Sequence, residues 1–577
     1  MPQVSFNGHK FTLEAERGET LLSCIRRGGL KAESTCGGRG VCGKCRVTAQ
    51  GELSPPDDDE RRVLEGLPAE VRLACRARVA GDVSVSLDDS WTRLQAASGF
   101  EFREVALDSP VKRALLPEKG RDPAPYVETL PFGVFDPRLL NEIAGWNANS
   151  SKPSAILFEN EAIDVRFDAA PVLGAAVDVG TTSLSLCLFD LESGENKGCS
   201  SALNPQTAYG GDVITRIDYC RKEREGLSVL RWALIEQLGV MLDETLGPDL
   251  SRDQVYLMSV AANSTMLHIL AGVNPVSLAL APFRPVFLKP LVVEAERFGL
   301  PIAPRGRLLL LPGAAAYVGA DIIGGLAAID YRSMPPCTLF IDIGTNGEIV
   351  LIENSERLVA TSCAMGPALE GMNISCGCRA VPGAIDTVTV GDDMEPRFTT
   401  IGDLPPIGIC GSGLVDLVAA LLSTGAITPG GAFSPDRGAK FAHRLRAQRY
   451  YLTENVFLSQ KDIRQVQLAK GAAITGILTL LGEAGRSVSD LRQIIVAGSF
   501  GYHLNPESLK RIGLLPENYS GPMTFVGNSS LSGASLVVRN RDMLNDMKRL
   551  ASRIRVLELG SQPGFSRKFI SMLDFPA

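Results

Sequence analysis

Asp178-Val179-Gly180-Thr181-Thr182 and Asp342-Ile343-Gly344-Thr345-Asn346 are two copies of one short loop, and their reading decides the fold. Each lies between two apolar, strand-like runs: residues 174–179 and 184–190 flank the first, residues 339–343 and 348–352 the second. An aspartate ending a buried strand, followed by Gly-Thr in a tight turn, surrounds a phosphate with backbone N–H groups and a hydroxyl. Its carboxylate is then placed to hold a hydrated metal ion. Ordinary β-hairpin turns use the same chemistry, but recurrence at matching points of two strand pairs favours a pair of phosphate loops. Two similar lobes closing on one nucleotide are therefore expected.

Towards the other end, Cys36, Cys42 and Cys45 form C-x5-C-x2-C, and Cys75 follows in Arg72-Leu-Ala-Cys75-Arg. The plant-type [2Fe–2S] pattern is C-x4-C-x2-C with a distant fourth cysteine, and this chain adds one residue to the first gap. Gly37, Gly38, Gly40 and Gly43 separate the ligands. They let the backbone wrap closely and aim N–H groups at cluster sulfurs, which tunes the potential. Four cysteines also suit tetrahedral zinc, but zinc sites usually show paired C-x2-C knuckles and a single such pair occurs here. The four cysteines are thus expected to hold one [2Fe–2S] cluster.

At 577 residues, 45% of them hydrophobic, the chain should hold several domains with substantial cores. No run of about twenty apolar residues is free of charge or breakers. The best candidate, 308–328, contains Pro312, Gly313, Gly319 and Asp321. Met1-Pro2-Gln3-Val4-Ser5-Phe6 has neither a basic region nor an apolar core, so no secretory signal is expected. A net charge of −7 without a basic block argues against nucleic acid and anionic membranes as partners. Thirteen cysteines in such a chain suggest reduced thiols or metal ligands in the cytoplasm, not a disulfide framework.

Four regions are expected. Residues 1–88 read as a β-grasp ferredoxin domain. Val4 and Phe6 alternate into the turn Asn7-Gly8, and Phe11 and Leu13 return. A short helix over 20–27 stops at Gly28-Gly29, a strand runs through 46–48, a helix starts near Pro55-Pro56-Asp57, and 82–87 alternates as a last strand. Cys24, on the first helix, reads as a small core residue. Residues 89–172 contain Pro110, Pro117, Pro123, Pro125, Pro131 and Pro137. They read as a linker to about residue 126 followed by a helix and hairpin; a linker would let an electron carrier reach both donor and acceptor.

Residues 173–334 and 335–577 would be the two lobes, in which helical patterns such as 227–246 and 465–482 alternate with strand pairs. Ile495-Val-Ala-Gly498-Ser-Phe-Gly501 is a buried strand entering a glycine turn, which allows adenine or ribose to lie against the backbone. Gly408-Ile-Cys410-Gly411-Ser412-Gly413 opens a helix whose N–H groups face an anion or simply cap the helix. Asp321 and Glu348 are candidates to orient water or magnesium, or are satisfied structural acids.

These loops, with Gly527-Asn528-Ser-Ser-Leu-Ser-Gly533-Ala534, resemble the acetate and sugar kinase, Hsp70 and actin superfamily of RNase H-like ATPases. The whole chain is more specific. Its cysteine domain joins Asn204-Pro205-Gln206-Thr-Ala-Tyr209-Gly210-Gly-Asp212, Asn263-Ser-Thr265-Met266-Leu-His268 and Ala281-Pro-Phe283. To these it adds Asp342-Ile-Gly-Thr-Asn-Gly347-Glu348, Gly366-Pro367-Ala-Leu-Glu370-Gly and Gly408-Ile-Cys-Gly-Ser-Gly413. Together they resemble the reductive activators of corrinoid proteins (the RACo family) over nearly the whole chain. The resemblance implies an α/β multidomain enzyme that uses ATP, Mg2+ and one iron–sulfur electron to return inactive Co(II) to Co(I). It also implies a corrinoid protein as partner, an unidentified electron donor and a homodimer. Asp178 and Asp342 would hold magnesium, and Thr181, Thr182, Thr345 and Asn346 would grip phosphates. Gly180, Gly344, Gly347, Gly498 and Gly501 would let the backbone approach the nucleotide.

Three departures stand out. Ala262-Asn263 replaces the family's more frequent Gly-Asn, Ser499 stands where a second glycine is common, and Cys376-Gly-Cys378 has no assigned role. The last cysteine is Cys410, which excludes the branch with C-terminal [4Fe–4S] centres. Co(II) reduction needs a strongly reducing electron. A deficit of about 200 mV corresponds to roughly 4–5 kcal/mol, at about 59 mV per tenfold. Nucleotide supplies such a difference only by binding two protein states unequally. The competing expectations are a small-metabolite kinase with a regulatory iron–sulfur domain and a chaperone-like reactivating ATPase. No G-x-G-x-x-G fingerprint supports a flavin or nicotinamide reductase.

Overall fold

The computed structural model describes residues 1–7, 12–28, 30, 32, 36, 38, 40, 43–64, 67–87, 102–117, 125–146, 153–391, 393–434, 443–498 and 504–576. Gly8, Phe11, Gly29, Gly37, Cys42, Pro123, Ser499 and Gly501 lie outside them.

The N-terminal region forms a five-stranded sheet in the order Thr12–Glu14, Gln3–Phe6, Val79–Leu87, Arg46–Leu53, Val71–Leu73. The strands Gln3–Phe6 and Val79–Leu87 run parallel, the mark of the β-grasp arrangement. Alternation places Val4, Phe6, Val83 and Val85 on the covered face, against Leu21, Leu22 and Ile25 of the helix Leu21–Arg27. Thr20 caps that helix by accepting from the Ser23 N–H. Asp57 likewise caps the helix Asp58–Val63.

The sheets carrying the two loops are built alike. Leu173–Val179 pairs antiparallel with Ser183–Asp190 and parallel with Val255–Ala262. Thr338–Ile343 pairs antiparallel with Gly347–Asn354 and parallel with Gln493–Ala497. Each sheet has six strands, and the central ones are buried on both faces, as continuous apolar runs require. The long helices are Gly226–Leu246 and Gln460–Glu483, the second opened by a capping box between Ser459 and Asp462.

The interior does not divide at residue 335. The helix Ser529–Arg539 lies against Leu173–Val179, Val255–Ala262 and the helix Ala320–Ala328. Leu531, Ala534, Val537 and Val538 therefore share one core with Val177, Val260 and Ile323. The two helices cross at Gly324 and Gly533; a Cβ on Gly533 would come within 2.3 Å of the Gly324 backbone. A second core forms around Leu339, Ile341, Leu417, Ile463 and Ile477.

Two observations differ from expectation. Part of the expected linker is a strand, Val111–Leu115, which pairs with Ser154–Phe158 ahead of the hairpin partner Glu161–Arg166. Its alternating Val111 (buried) and Lys112 (exposed) hide in a charge-rich stretch, so composition masks the strand. Cys187 and Cys199, expected as reduced thiols, sit opposite one another on neighbouring strands and are joined as a disulfide. Among the described residues no helix is long and apolar enough to cross a membrane.

Candidate functional site

The loops at Asp178 and Asp342 face each other across one cleft, with the Thr182 and Thr345 hydroxyls 3.4 Å apart. The cavity between them is about 110 Å3. That is smaller than the roughly 300 Å3 or more of sites that enclose a whole drug-sized ligand, so it fits a phosphate and metal end, not an entire nucleotide. Asp178, Gly180, Thr181, Thr182, Asp321, Asp342, Gly344, Thr345, Asn346, Glu348 and Gly498 all line it. Gly347 stands one residue before Glu348, packed against Met365, where a Cβ would come within 2.2 Å of the Met365 sulfur. Gly498 has φ +117°, and a Cβ there would fall 2.4 Å from the Ile343 carbonyl oxygen. Gly501 lies outside the described residues.

Four carboxyl groups crowd this cleft, Glu348 buried and Asp178, Asp321 and Asp342 part-buried, and desolvation is the first cause of every shift. It raises Asp178 to about 6, against hydrogen bonds from Ser530 and Asn528. It raises Asp321 to about 7, helped by Asp178, and Asp342 to about 8, helped by Asp321, Asp178 and Glu370. Glu348 is pushed well above its ordinary value by burial, then Asp321 and Asp342. Such a group of acids holds protons until a cation replaces them. Among the described residues no His, Cys, Asp and Glu side chains converge into a closed metal-ligand set. Carboxylates spaced this way suit a magnesium ion that keeps several waters, the usual habit of that ion at phosphate sites.

Several residues that buttress the cleft were not singled out as site residues by the sequence. Asn528 Nδ2 and Ser530 Oγ donate to the Asp178 carboxylate at 2.9 and 2.8 Å. They come from the start of the helix Ser529–Arg539, where Asn528 also caps the helix. Thr345 Oγ1 donates to Glu370 Oε1 at 2.7 Å. Asn263 Nδ2 donates to Thr181 Oγ1 at 3.1 Å and Asn204 Nδ2 to the Gly180 carbonyl at 2.8 Å. Arg216, fully buried, donates to the Thr181 carbonyl, to the Gly210 carbonyl at 2.9 Å and to Gln206 Oε1 at 3.0 Å. The motifs that hold these residues are visible in the chain, but their reach onto the loops is set only by tertiary packing.

Of the four cysteines expected to hold the cluster, Cys36, Cys45 and Cys75 are described, and all three are buried. The Cys45 and Cys75 sulfurs lie 3.3 Å apart. Cys75 beside it, with burial, holds the Cys45 thiol far above its ordinary range, and Cys36 adds to the effect. Sulfurs crowded in this way are poor as free thiolates and suited to iron, so the donor set fits an iron–sulfur cluster. Gly38, Gly40 and Gly43 all have positive φ, which keeps the loop tight around them. This domain rests on the ATPase-like body: Lys44 Nζ donates to the Gly377 carbonyl at 2.9 Å and Arg26 to that of Ala208. The Cys376-Gly-Cys378 motif therefore borders the cysteine domain, with the Cys376 thiol against the Asn455 carbonyl at 3.6 Å.

Comparisons with known proteins agree with this arrangement. Residues 4–80 match the 2Fe–2S iron–sulfur cluster binding domain, residues 173–333 the RACo middle region, and residues 336–577 the C-terminal domain of RACo, the ASKHA domain. The chain is 30% identical over 573 residues to the corrinoid activation enzyme RamQ of Eubacterium limosum, covering 94% of each chain. It is 26% identical over 434 residues to a [Co(II) methylated amine-specific corrinoid protein] reductase of Methanosarcina barkeri, covering 70% of this chain and 77% of that one. A solved structure, a reductive activator for a corrinoid, iron–sulfur protein, matches with TM-score 0.75 and 28% identity, over 100% of this chain and 98% of that one.

Proposed function

The chain belongs to the RACo family, and from that premise we propose that it is an ATP-dependent reductive activator, returning the Co(II) form of a corrinoid protein to Co(I). The observation that carries this reading is the union, in one chain, of a buried cysteine set with two Asp-x-Gly-Thr loops meeting over four crowded carboxyls. A [2Fe–2S] cluster on Cys36, Cys42, Cys45 and Cys75 supplies single electrons at low potential.

Asp178 and Asp342, each at the end of a central strand, would hold a hydrated magnesium ion. Thr181, Thr182, Thr345 and Asn346 grip phosphates with hydroxyl, amide and backbone groups, and Gly180, Gly344, Gly347, Gly498 and Gly501 admit the nucleotide to the backbone. Asp321 and Glu348 orient the attacking water, and the Asp321 pKa, raised to about 7, suits proton acceptance near neutral pH. Because the threonine hydroxyls of the two loops nearly touch, a triphosphate has to part the lobes before both loops close on it. That difference between parted and closed forms is what lets nucleotide binding favour one state of the protein over another. ATP-bound protein would then hold the corrinoid partner in a form in which Co(II) is easier to reduce, and hydrolysis would release the partner. The reading includes a homodimer, a cytoplasmic location and an external reductant that recharges the cysteine domain.

The test is anaerobic visible spectroscopy of a Co(II) corrinoid protein mixed with the reduced enzyme, with and without Mg-ATP. Growth of the Co(I) band with ATP alone, and its loss in Cys75→Ser, is the expected result. ATP consumption without Co(I) from any corrinoid partner would instead favour a kinase or a chaperone-like ATPase.

A further inference from the structure

Arg26, at the end of the helix Leu21–Arg27, stands between the cysteines and the first lobe. Its Nη2 donates to the Ala208 carbonyl, and its guanidinium lies 5.0 Å from the centre of the Tyr209 ring. Tyr209 in turn packs on Tyr219 with ring centres 5.1 Å apart. The Arg26 Nε is buried and, among the described residues, meets no acceptor. Leu22, one turn before Arg26 on the same helix, donates its N–H to the Ala74 carbonyl beside Cys75 at 2.8 Å, and burial lowers the Arg26 pKa while Tyr219, Tyr209, Cys45 and Cys75 raise it.

A buried guanidinium N–H without an acceptor is costly. Chains keep one where the acceptor belongs to something the polypeptide does not itself supply. The sulfurs of an iron–sulfur group held by Cys45 and Cys75 are acceptors of that kind. An N–H donated to them from a cation stabilises the reduced, more negative form and raises the potential.

We propose that Arg26 is a positioning residue shared by the cluster and the ATPase body, giving its Nε–H to a cluster sulfur and its Nη2–H to the Ala208 carbonyl. Ala208 ends the turn Pro205–Ala208. Asn204 and Arg216 tie that turn to the Gly180 and Thr181 carbonyls of the first phosphate loop. Displacement of that loop therefore reaches the guanidinium through a short chain of hydrogen bonds. Nucleotide that shifts the first loop as both loops close on it draws the cation from the sulfurs and makes the bound electron more reducing. This second half rests on the nucleotide reading above. By linkage, oxidised and reduced protein then bind nucleotide with unequal affinity.

The experiment is anaerobic spectroelectrochemistry of the full chain with and without Mg-ATP, in wild type, Arg26→Gln, Arg26→Lys and Arg27→Ala. Arg27 is the control: it is the next residue, it carries the same charge, and it is paired with Glu19 at 2.9 Å. Arg26→Gln should lower the potential by at least the equivalent of tenfold, about 59 mV for one electron, with Arg27→Ala close to wild type. Mg-ATP should lower the wild-type potential and leave Arg26→Gln unmoved. Equal potentials in wild type and both Arg26 variants would overturn the cluster contact, as would equal shifts in Arg26→Gln and Arg27→Ala. A nucleotide shift of the same size in wild type and Arg26→Gln, or none in wild type that binds Mg-ATP, would overturn the coupling. Wild type that holds its cluster but binds no Mg-ATP defeats the nucleotide reading, and the Arg26 comparison without nucleotide still decides the cluster contact.

Discussion

Asp342 has the least support of the paired loop aspartates. Asp178 accepts two side-chain hydrogen bonds, from Asn528 and Ser530, whereas among the described residues no side-chain hydrogen bond offsets the burial of Asp342, and three neighbouring acids raise it further. A group in that position gains most from a metal cation and loses most when its charge is removed. Asp342→Asn should therefore reduce Mg-dependent ATP hydrolysis by about a hundredfold or more, the range seen when one electrostatic stabiliser of a reacting group is lost. Steady-state phosphate release checks this, and Asp178→Asn should be the milder variant. Both loops are legible in the chain because strand, turn and acid are adjacent in sequence. The asymmetry between them is not, because Asn528 and Ser530 come from about 350 residues away.

At the level of elements, the helices Ala320–Ala328 and Ser529–Arg539 decide how the lobes meet. Their crossing leaves no room for a β-carbon on Gly533, and Ser529 also presses on Gly325. Gly533→Val should overpack this contact, lowering stability by about 1–3 kcal/mol and tilting the helix that presents Asn528 and Ser530. Thermal unfolding measures the first effect and nucleotide titration the second, with a lower Tm and weaker binding expected together. The sequence marks each glycine as permissive, yet an isolated glycine in a helical pattern reads only as a weak point. Similarly, the strands Leu173–Val179 and Thr338–Ile343 are plain from their apolar runs, while the strand Val111–Leu115 is hidden by its own lysine and arginine.

For the molecule as a whole, the buried acids couple stability, pH and cation. Asp178, Asp321 and Asp342 titrate near 6, 7 and 8 when folded and near 3.8 when not. The folded chain thus keeps protons that the unfolded chain has released, so their contribution to stability is full below about pH 4 and is lost as pH rises towards 8. Magnesium with nucleotide acts in the opposite sense, since it binds the deprotonated acids. The rise in Tm caused by Mg-ATP should therefore be larger at pH 8 than at pH 6, and calorimetry at the two values decides it. What the sequence alone determined is local: cysteine spacing, the two Asp-Gly-Thr loops and apolar periodicity are set by residues within a few positions of one another. Tertiary structure decided which distant groups complete them. Asn528 on Asp178, Arg216 on Thr181 and Arg26 on Ala208 exist only once the core closes, because burial removes water and leaves each polar group to find its partner across the fold.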